Sequence, residues 1–310
     1  MTTDIDVSII IPTYNRLWCL PQAINSCRNT LCHTEIIVVD DGSTDGTLEW
    51  LKKQEGLVIA QQKHLGKCWA VNYGYKLAKG KYIRFLDSDD LLNKGAIDEQ
   101  FQLAEANSSD LVVSGYRVID QGNKTIKEQP WINCDDFIAQ QLGECDGSHY
   151  SAFLFTKEIL SDVPHRPDYS FRDDRMLVLE VAIKHPRIAV HTGLALVHLQ
   201  HTNERLQFNG GLQKSVQNHQ HLNIYKHIID RLIRQNDFNK RRAAAATTVL
   251  WPLAHWMARD YLNDAVEIAK WIFELDPNFQ VPEKGLLGTL YKKIGFKRTE
   301  QLLRLRRAFI

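Results

Sequence analysis

The chain has 310 residues, 44% of them apolar, with 38 basic and 37 acidic side chains and a net charge of +1. That length accommodates two domains, or one large domain with an appendage, and so even a charge balance gives no global reason to expect nucleic acid. The six cysteines (19, 27, 32, 68, 134, 145) include no Cys-x-x-Cys pair, which argues against a zinc ribbon or dithiol redox motif and fits reduced thiols in a cytoplasmic protein.

Val7-Ser8-Ile9-Ile10-Ile11 is a nearly continuous β-branched run, as expected of a central parallel strand buried on both faces. Pro12-Thr13-Tyr14-Asn15-Arg16 breaks it, and 20–27 continues with helical spacing. Glu35 to Val39 is a second strand that ends at Asp40-Asp41-Gly42-Ser43, after which Thr44 or Asp45 can cap a helix through Leu48, Trp50 and Leu51. Leu57 to Ala60 makes a short third strand, and Gly66 to Lys79 predicts a helix closed by Gly80 just past its C-terminus. Tyr82 to Leu86 is a buried strand that runs into Asp87-Ser88-Asp89-Asp90. Three carboxylates within four residues concentrate negative charge, which is costly unless a cation sits there. Hard divalent ions take oxygen ligands, so the cluster is a candidate seat for Mg2+ or Mn2+ carrying a diphosphate. A plain Asp/Ser turn capping the next helix is the alternative. Asp110 to Tyr116 is a fifth strand. Strands alternating with helices predict an α/β, Rossmann-like, mostly parallel sheet with helices on both faces. Ligands of such sheets bind at the carboxyl ends of the strands. Thr13 to Arg16, Asp40/Asp41 and Asp87/Asp89 all fall there.

The segments Val7–Asn15, Val38-Val39-Asp40-Asp41-Gly42-Ser43-Thr44-Asp45 and Phe85-Leu86-Asp87-Ser88-Asp89-Asp90 resemble the three signatures of family 2 glycosyltransferases, which have the GT-A nucleotide-diphospho-sugar transferase fold. Gly66, Ala70, Asn72, Ala78, Gly80 and Tyr82 fit the segment between them, whereas Val71 stands where relatives often carry Arg. The likeness runs from residue 5 to about 205 and implies an inverting, metal-dependent transfer from a nucleotide-diphospho-sugar, most simply a UDP-sugar, to a hydroxyl of a growing glycan or lipid-linked saccharide. On that likeness Pro12, Thr13, Tyr14 and Arg16 bound the nucleoside pocket, and Asp40 or Asp41 accepts from the base. Lys67, Asp87 and Ser88 also belong to the donor site, and Asp89 binds Mn2+ or Mg2+, with Asp87 on the ribose or metal side. Phe171-Arg172-Asp173-Asp174-Arg175 resembles the family's Glu-Asp pair, with Asp173 at the Glu position and Asp174 as the base. An acidic helix start that complements the helix dipole accounts for the same two residues. His201, with Asn203 beside it, is a candidate metal or phosphate contact, or a loop histidine without a ligand. A nucleotidyltransferase of related fold is a second possibility, although Pro12-Thr13-Tyr14-Asn15 is not the Gly-rich, basic phosphate loop that those enzymes carry. A non-catalytic nucleotide-sugar-binding protein is a third.

Between Tyr116 and Asp146 the sequence is polar and irregular, with a hairpin turn expected at Gly122-Asn123. Gly147-Ser148-His149-Tyr150-Ser151 precedes a short strand, Ala152 to Phe155; the resemblance makes the region up to this strand part of the acceptor pocket and the first domain residues 1–210. From 211 to 310 the pattern is wholly helical, which predicts a small bundle. Its last segment, 284–310, holds eight Lys or Arg against one acid, Glu300, a local charge of +7 interleaved with leucines and aromatics. Basic amphipathic helices of this kind bind anionic lipid; a solvated helix packed on its own domain is the plainer alternative. The most apolar window, 243–258, contains Pro252 and His255 and is too short to span a bilayer. With a strand beginning within a few residues of the start and no signal peptide expected, the anticipated location is cytoplasmic, peripheral on the inner face of the membrane.

Overall fold

The structure, a computed structural model, describes residues 5–201 and 211–308. The chain divides into two compact units, 1–133 with 146–205, and 134–145 with 206–310. Residues 134–145, expected in the first domain, therefore belong with the helices. The boundary expected at 210, and Asn203, lie outside the described residues.

The first unit is built on a nine-stranded mixed sheet. Its strands are β1 Val7–Thr13, β2 Thr34–Asp40, β3 Leu57–Gln61, β4 Tyr82–Phe85, β5 Leu91–Leu92, β6 Leu111–Ile119, β7 Thr125–Gln129, β8 Leu154–Thr156 and β9 Ile188–Leu199. The spatial order is β3-β2-β1-β4-β8-β6-β9-β5, and β7 forms a hairpin with β6. The four strands β3, β2, β1 and β4 are all parallel, as their β-branched runs require; Val7 and Ile9 to Ile11 are wholly buried. Antiparallel pairings enter at β8, which lies between β4 and β6. The helices are α1 Leu20–Ser26, α2 Thr47–Leu51, α3 Lys67–Leu77, α4 Ala96–Asn107 and, after the second unit's first segment, α6 Asp173–Ala182.

Gly80 does not cap α3. The helix ends at Leu77, Ala78 turns extended (φ −60°, ψ 132°), and a Cβ on Gly80 would come 2.5 Å from the Ser8 backbone nitrogen. The glycine is needed for close approach of the chain to β1, and the Ser8 hydroxyl accepts its N–H at 2.8 Å. Because β1 pairs in register with β2 and β4, the loops that follow the three strands emerge at one edge.

The second unit comprises the short α5 Phe137–Ala139 with a wide turn over Gln140–Glu144, and α7 Gly211–Arg234, α8 Lys240–Ala258, α9 Leu262–Leu275 and α10 Gly285–Ala308. Segment 134–145 is tied to the helices by buried polar contacts. Tyr225 donates its hydroxyl to the Leu142 carbonyl at 2.9 Å, and Arg242 pairs with Asp136 at 2.9 Å. Turn-like composition hid this docking from sequence. Gly295, at φ +78°, kinks α10. Glu300, the one acid of the basic segment, is fully buried and accepts from Tyr291 (2.6 Å), with His255 Nδ1 also at 2.6 Å. No described helix is long and apolar enough to cross a membrane.

Candidate active site

The loops after β1 and β2 are locked together before any ligand is considered. Asn15 adopts the left-handed region (φ 51°); its N–H donates to Ser43 Oγ at 2.9 Å, and its Oδ1 accepts the Thr44 N–H at 2.8 Å. Asp41 is a second knot. Its Oδ1 accepts from Leu65 N (2.8 Å) and Gln62 Nε2 (2.6 Å), and its Oδ2 from Gly66 N (2.9 Å), with His64 Nδ1 also 2.9 Å away. Four partners occupy this carboxylate, so it fixes the 62–66 loop that leads into α3. Its neighbour Asp40 is fully buried; Oδ2 accepts the Ser43 N–H at 3.1 Å, while Oδ1 has no donor among the described residues. Pro12 is buried in β1 opposite Val39. The buried Thr13 hydroxyl likewise lacks a partner among the described residues. Tyr14 is 37% exposed and stacks on His64 at 3.9 Å and 20° between planes. Arg16 is half-buried at the same rim, its Nη1 3.4 Å from the Asn15 carbonyl.

The aspartate turn follows β4. Lys67, the first residue of α3, pairs with Asp87 at 2.7 Å and sits 5.4 Å from the Tyr150 ring centroid. Burial works against both charges, yet their mutual attraction outweighs it, holding the Asp87 carboxyl below the usual range and the Lys67 ammonium well above its own. Ser88, next in the chain, is buried. Asp89 meets His201 Nε2 at 2.9 Å, and the imidazole is packed edge-on against Trp18 at 4.8 Å. Asp90, only 1% exposed, accepts the Leu199 N–H at 3.1 Å and pairs with His198 Nδ1 at 3.0 Å. Burial pushes its carboxyl up, with His198 pulling the other way. One oxygen each of Asp87, Asp89 and Asp90 lies within 4.8 Å of the others. Three carboxylates and a neighbouring imidazole, whose buried Nδ1 has no partner among the described residues, form a donor set suited to Mn2+ or Mg2+.

The start of α6 supplies the third side. Asp173 is 4% exposed and faces His165 Nδ1 at 2.6 Å. His165 is itself held by Asn72 of α3, which accepts its N–H at 2.9 Å and donates to its carbonyl at 2.7 Å. Burial opposes ionisation of Asp173, but His165 and Lys67 outweigh it and hold the carboxyl below its ordinary value. Asp174, half-buried, accepts the Arg175 N–H at 2.7 Å. Lys67 is thus linked to Asp87 directly and, through the Tyr150 ring and His165, to Asp173, so the structure brings the aspartate turn and the α6 start near one another. His64, His165 and His198 have no role assigned from sequence, and Tyr150 only a place in the stretch expected to line the acceptor pocket. Twelve histidines offer no local motif, and only the tertiary pairing singles these out.

A family model, glycosyl transferase family 2, matches residues 8–164, half of the chain. The chain belongs to this family. Among curated relatives, it is 39% identical over 129 residues to the poly(ribitol-phosphate) beta-N-acetylglucosaminyltransferase TarP of Staphylococcus aureus, covering 39% of each protein. It is 32% identical over 149 residues to the putative teichuronic acid biosynthesis glycosyltransferase TuaG of Bacillus subtilis, covering 45% of this chain and 59% of TuaG. The matched stretches span from about a fifth to three fifths of the curated relatives. In fold, the chain is similar to S. aureus TarS 1-349 in complex with UDP-GlcNAc, with a TM-score of 0.58, 16% identity, and coverage of 97% of this chain and 92% of that one. The GT-A architecture expected from sequence is the one observed, and the sequence likeness is concentrated in the half that carries the three aspartate and loop signatures.

Proposed function

We propose that this family 2 member is an inverting glycosyltransferase that moves a sugar from a UDP-sugar to a hydroxyl of a polymeric or lipid-linked acceptor, with Mn2+ or Mg2+ as cofactor. The observation that carries this is the chain of contacts that runs from Asp87 through Lys67 and Tyr150 to His165 and Asp173: a seat for a charged leaving group lies near the start of α6, where Asp174 offers a carboxylate base. TarS bound to UDP-GlcNAc and TarP named for transfer to poly(ribitol-phosphate) support the choice of donor and acceptor class. In this scheme Pro12, Thr13, Tyr14 and Arg16 bound the nucleoside pocket, and the orphaned Oδ1 of Asp40 accepts a base N–H. Asp41 acts indirectly, by shaping the 62–66 loop.

Asp89 and His201, with Asp87 beside them, are the residues that would hold the ion, which when bound supplies Lewis-acid stabilisation to the leaving diphosphate. Lys67 adds a fixed positive charge in the same pocket, where electrostatics act across little water. Ser88 lines the floor of that turn. Asp174 takes the proton of the acceptor hydroxyl as it attacks the anomeric carbon from the face opposite the diphosphate. Asp173, ionised and clamped by His165, keeps the start of α6 in place. A panel of UDP-sugars assayed for UDP release with Mn2+, with Mg2+ and with EDTA tests the scheme. Metal-dependent release from one sugar is expected. No release, together with no metal-dependent UDP binding by calorimetry, removes the UDP assignment.

We also propose that α10 meets an anionic lipid surface from the cytoplasmic side. Glu300 is turned into the helical core, so the exposed charges among the described side chains of α10 are Lys292, Lys293, Lys297, Arg298 and Arg304, alongside exposed Leu286, Leu302 and Leu305. Sedimentation with phosphatidylglycerol vesicles, lost in K292E/K293E/K297E, is the expected result; equal sedimentation of both proteins would refute it.

A further inference from the structure

Tyr150 stands out among the buried polar groups of the first unit. It is 4% exposed, and its hydroxyl is buried without a hydrogen-bond partner among the described residues. A buried phenol normally finds one; leaving it unpaired costs free energy that nothing in the fold requires, since phenylalanine would fill the same space. The ring itself is firmly held. Phe85, the last residue of β4, stacks on it at 5.8 Å and 24°, and His165 meets it edge-on at 5.9 Å. The Lys67 ammonium lies 5.4 Å from its centroid. The short turn Tyr150–Ala152 is pinned as well: the fully buried Arg84 donates to the Ser151 carbonyl at 2.7 Å, and Gln100 donates to the Ala152 carbonyl at 2.9 Å. Three neighbours thus fix the ring, two contacts fix its backbone, and the hydroxyl alone is unused.

Its surroundings specify what it could bind. Lys67, which meets one side of the ring, pairs with Asp87 at 2.7 Å, and His165, which also meets it, pairs with Asp173 at 2.6 Å, so the phenol lies between the aspartate turn and the α6 start. Under the proposed function those are the leaving-group side and the acceptor side. A sugar in transit from donor to acceptor would pass between them.

We propose that Tyr150 is a sugar-recognising residue, whose hydroxyl hydrogen-bonds a hydroxyl or amide substituent of the transferred sugar. The proposal rests on the donor assignment above. A pre-formed, immobile phenol makes this bond with little loss of side-chain freedom. It acts on the sugar, not on the nucleotide or the metal, which separates it from every other residue assigned here.

The test is Tyr150→Phe, compared with wild type by thermal unfolding without ligand and by calorimetry with Mn2+ and either UDP or UDP-GlcNAc. Removing an unpaired buried hydroxyl leaves the midpoint of unfolding unchanged or raises it. Affinity for UDP is expected to stay the same, while that for UDP-GlcNAc falls roughly three- to ten-fold, the equivalent of one neutral hydrogen bond. If UDP-GlcNAc does not bind more tightly than UDP, UDP-Glc and UDP-Gal are run in the same way. A lowered melting midpoint with unchanged sugar-nucleotide affinity would show that the hydroxyl is satisfied inside the fold and would overturn the proposal. Equal losses for UDP and the UDP-sugar would overturn it too, by placing the hydroxyl at the nucleotide. Wild-type protein that binds UDP and every UDP-sugar equally refutes Tyr150 alone; wild-type protein that binds none of them refutes the donor assignment, and Tyr150 with it.

Discussion

Exchanging each carboxylate of the α6 start for an amide separates two roles that sequence alone leaves side by side. Asp173 faces His165 at 2.6 Å in a site 4% open to solvent. Asparagine keeps the shape and one acceptor oxygen but loses the charge, which converts a charge-assisted bond into a neutral one at a cost of about 2 kcal/mol. For a unit of this size that corresponds to roughly 4–8 °C in the melting midpoint. The pH dependence follows from the same contacts. The folded carboxyl of Asp173 is held below its ordinary value, and the unfolded value is about 3.9. Its stabilisation is therefore fully present above that unfolded value and is lost as pH falls toward the folded one. The gap in melting midpoint between wild type and D173N should be present at about pH 5 and close below about pH 4. Asp174, half-buried and bonded to the Arg175 N–H, contributes little to the fold, so D174N should melt with wild type and lose nearly all turnover. Calorimetric scans across pH, paired with UDP-release assays, read both quantities on the same preparations. D174N that keeps turnover, beside an inactive D173N that melts like wild type, would refute the reasoning and move the base to Asp173.

H201N should weaken Mn2+ binding, measured by electron paramagnetic resonance, by at least the ten- to hundred-fold that loss of a supporting group around a metal typically costs; unchanged affinity would leave His201 a loop histidine. D41N is expected to lower stability by about 2 kcal/mol, because an amide cannot accept from all the donors now gathered on that carboxylate. Limited proteolysis should then cut first within residues 62–66, and cleavage elsewhere would contradict the knot. A Gly80→Ala chain should fail to fold stably, since the added carbon would stand 2.5 Å from the Ser8 nitrogen; a soluble variant with wild-type melting would show that β1 can move aside.

The parallel half of the sheet was readable because its strands are β-branched runs ending in polar clusters, and register alone then carries those clusters to one edge. Asp87, Asp89, Asp40 and Asp41 could be found that way. Which of the last pair is spoken for could not, because the donors on Asp41 come from a loop more than twenty residues away with no periodicity of its own. Segment 134–145 went to the wrong unit for a related reason: a polar, turn-like stretch carries no sign of which core it caps, and Leu142, Asp136 and Glu144 meet partners about a hundred residues later. Gly80 was read as a helix cap because a glycine after a helix commonly is one; its purpose, contact with Ser8, is a long-range fact.

The distribution of basic partners helps explain how so acidic a site is accommodated and which of its members is left to react. Five carboxylates, Asp87, Asp89, Asp90, Asp173 and Asp174, crowd the edge of one sheet, and ionising buried carboxylates together is unfavourable unless each is compensated. Four of them have a dedicated basic side chain: Lys67 for Asp87, His201 for Asp89, His198 for Asp90 and His165 for Asp173. Each of those four thus has an oxygen engaged by a base. Asp174 accepts only a backbone N–H among its described contacts, and it is more open than Asp173 or Asp90. A general base must have an oxygen free to receive a proton from an incoming hydroxyl. The pairing that engages the other four carboxylates thus leaves Asp174 as the member of the five with no basic side chain on it among the described contacts.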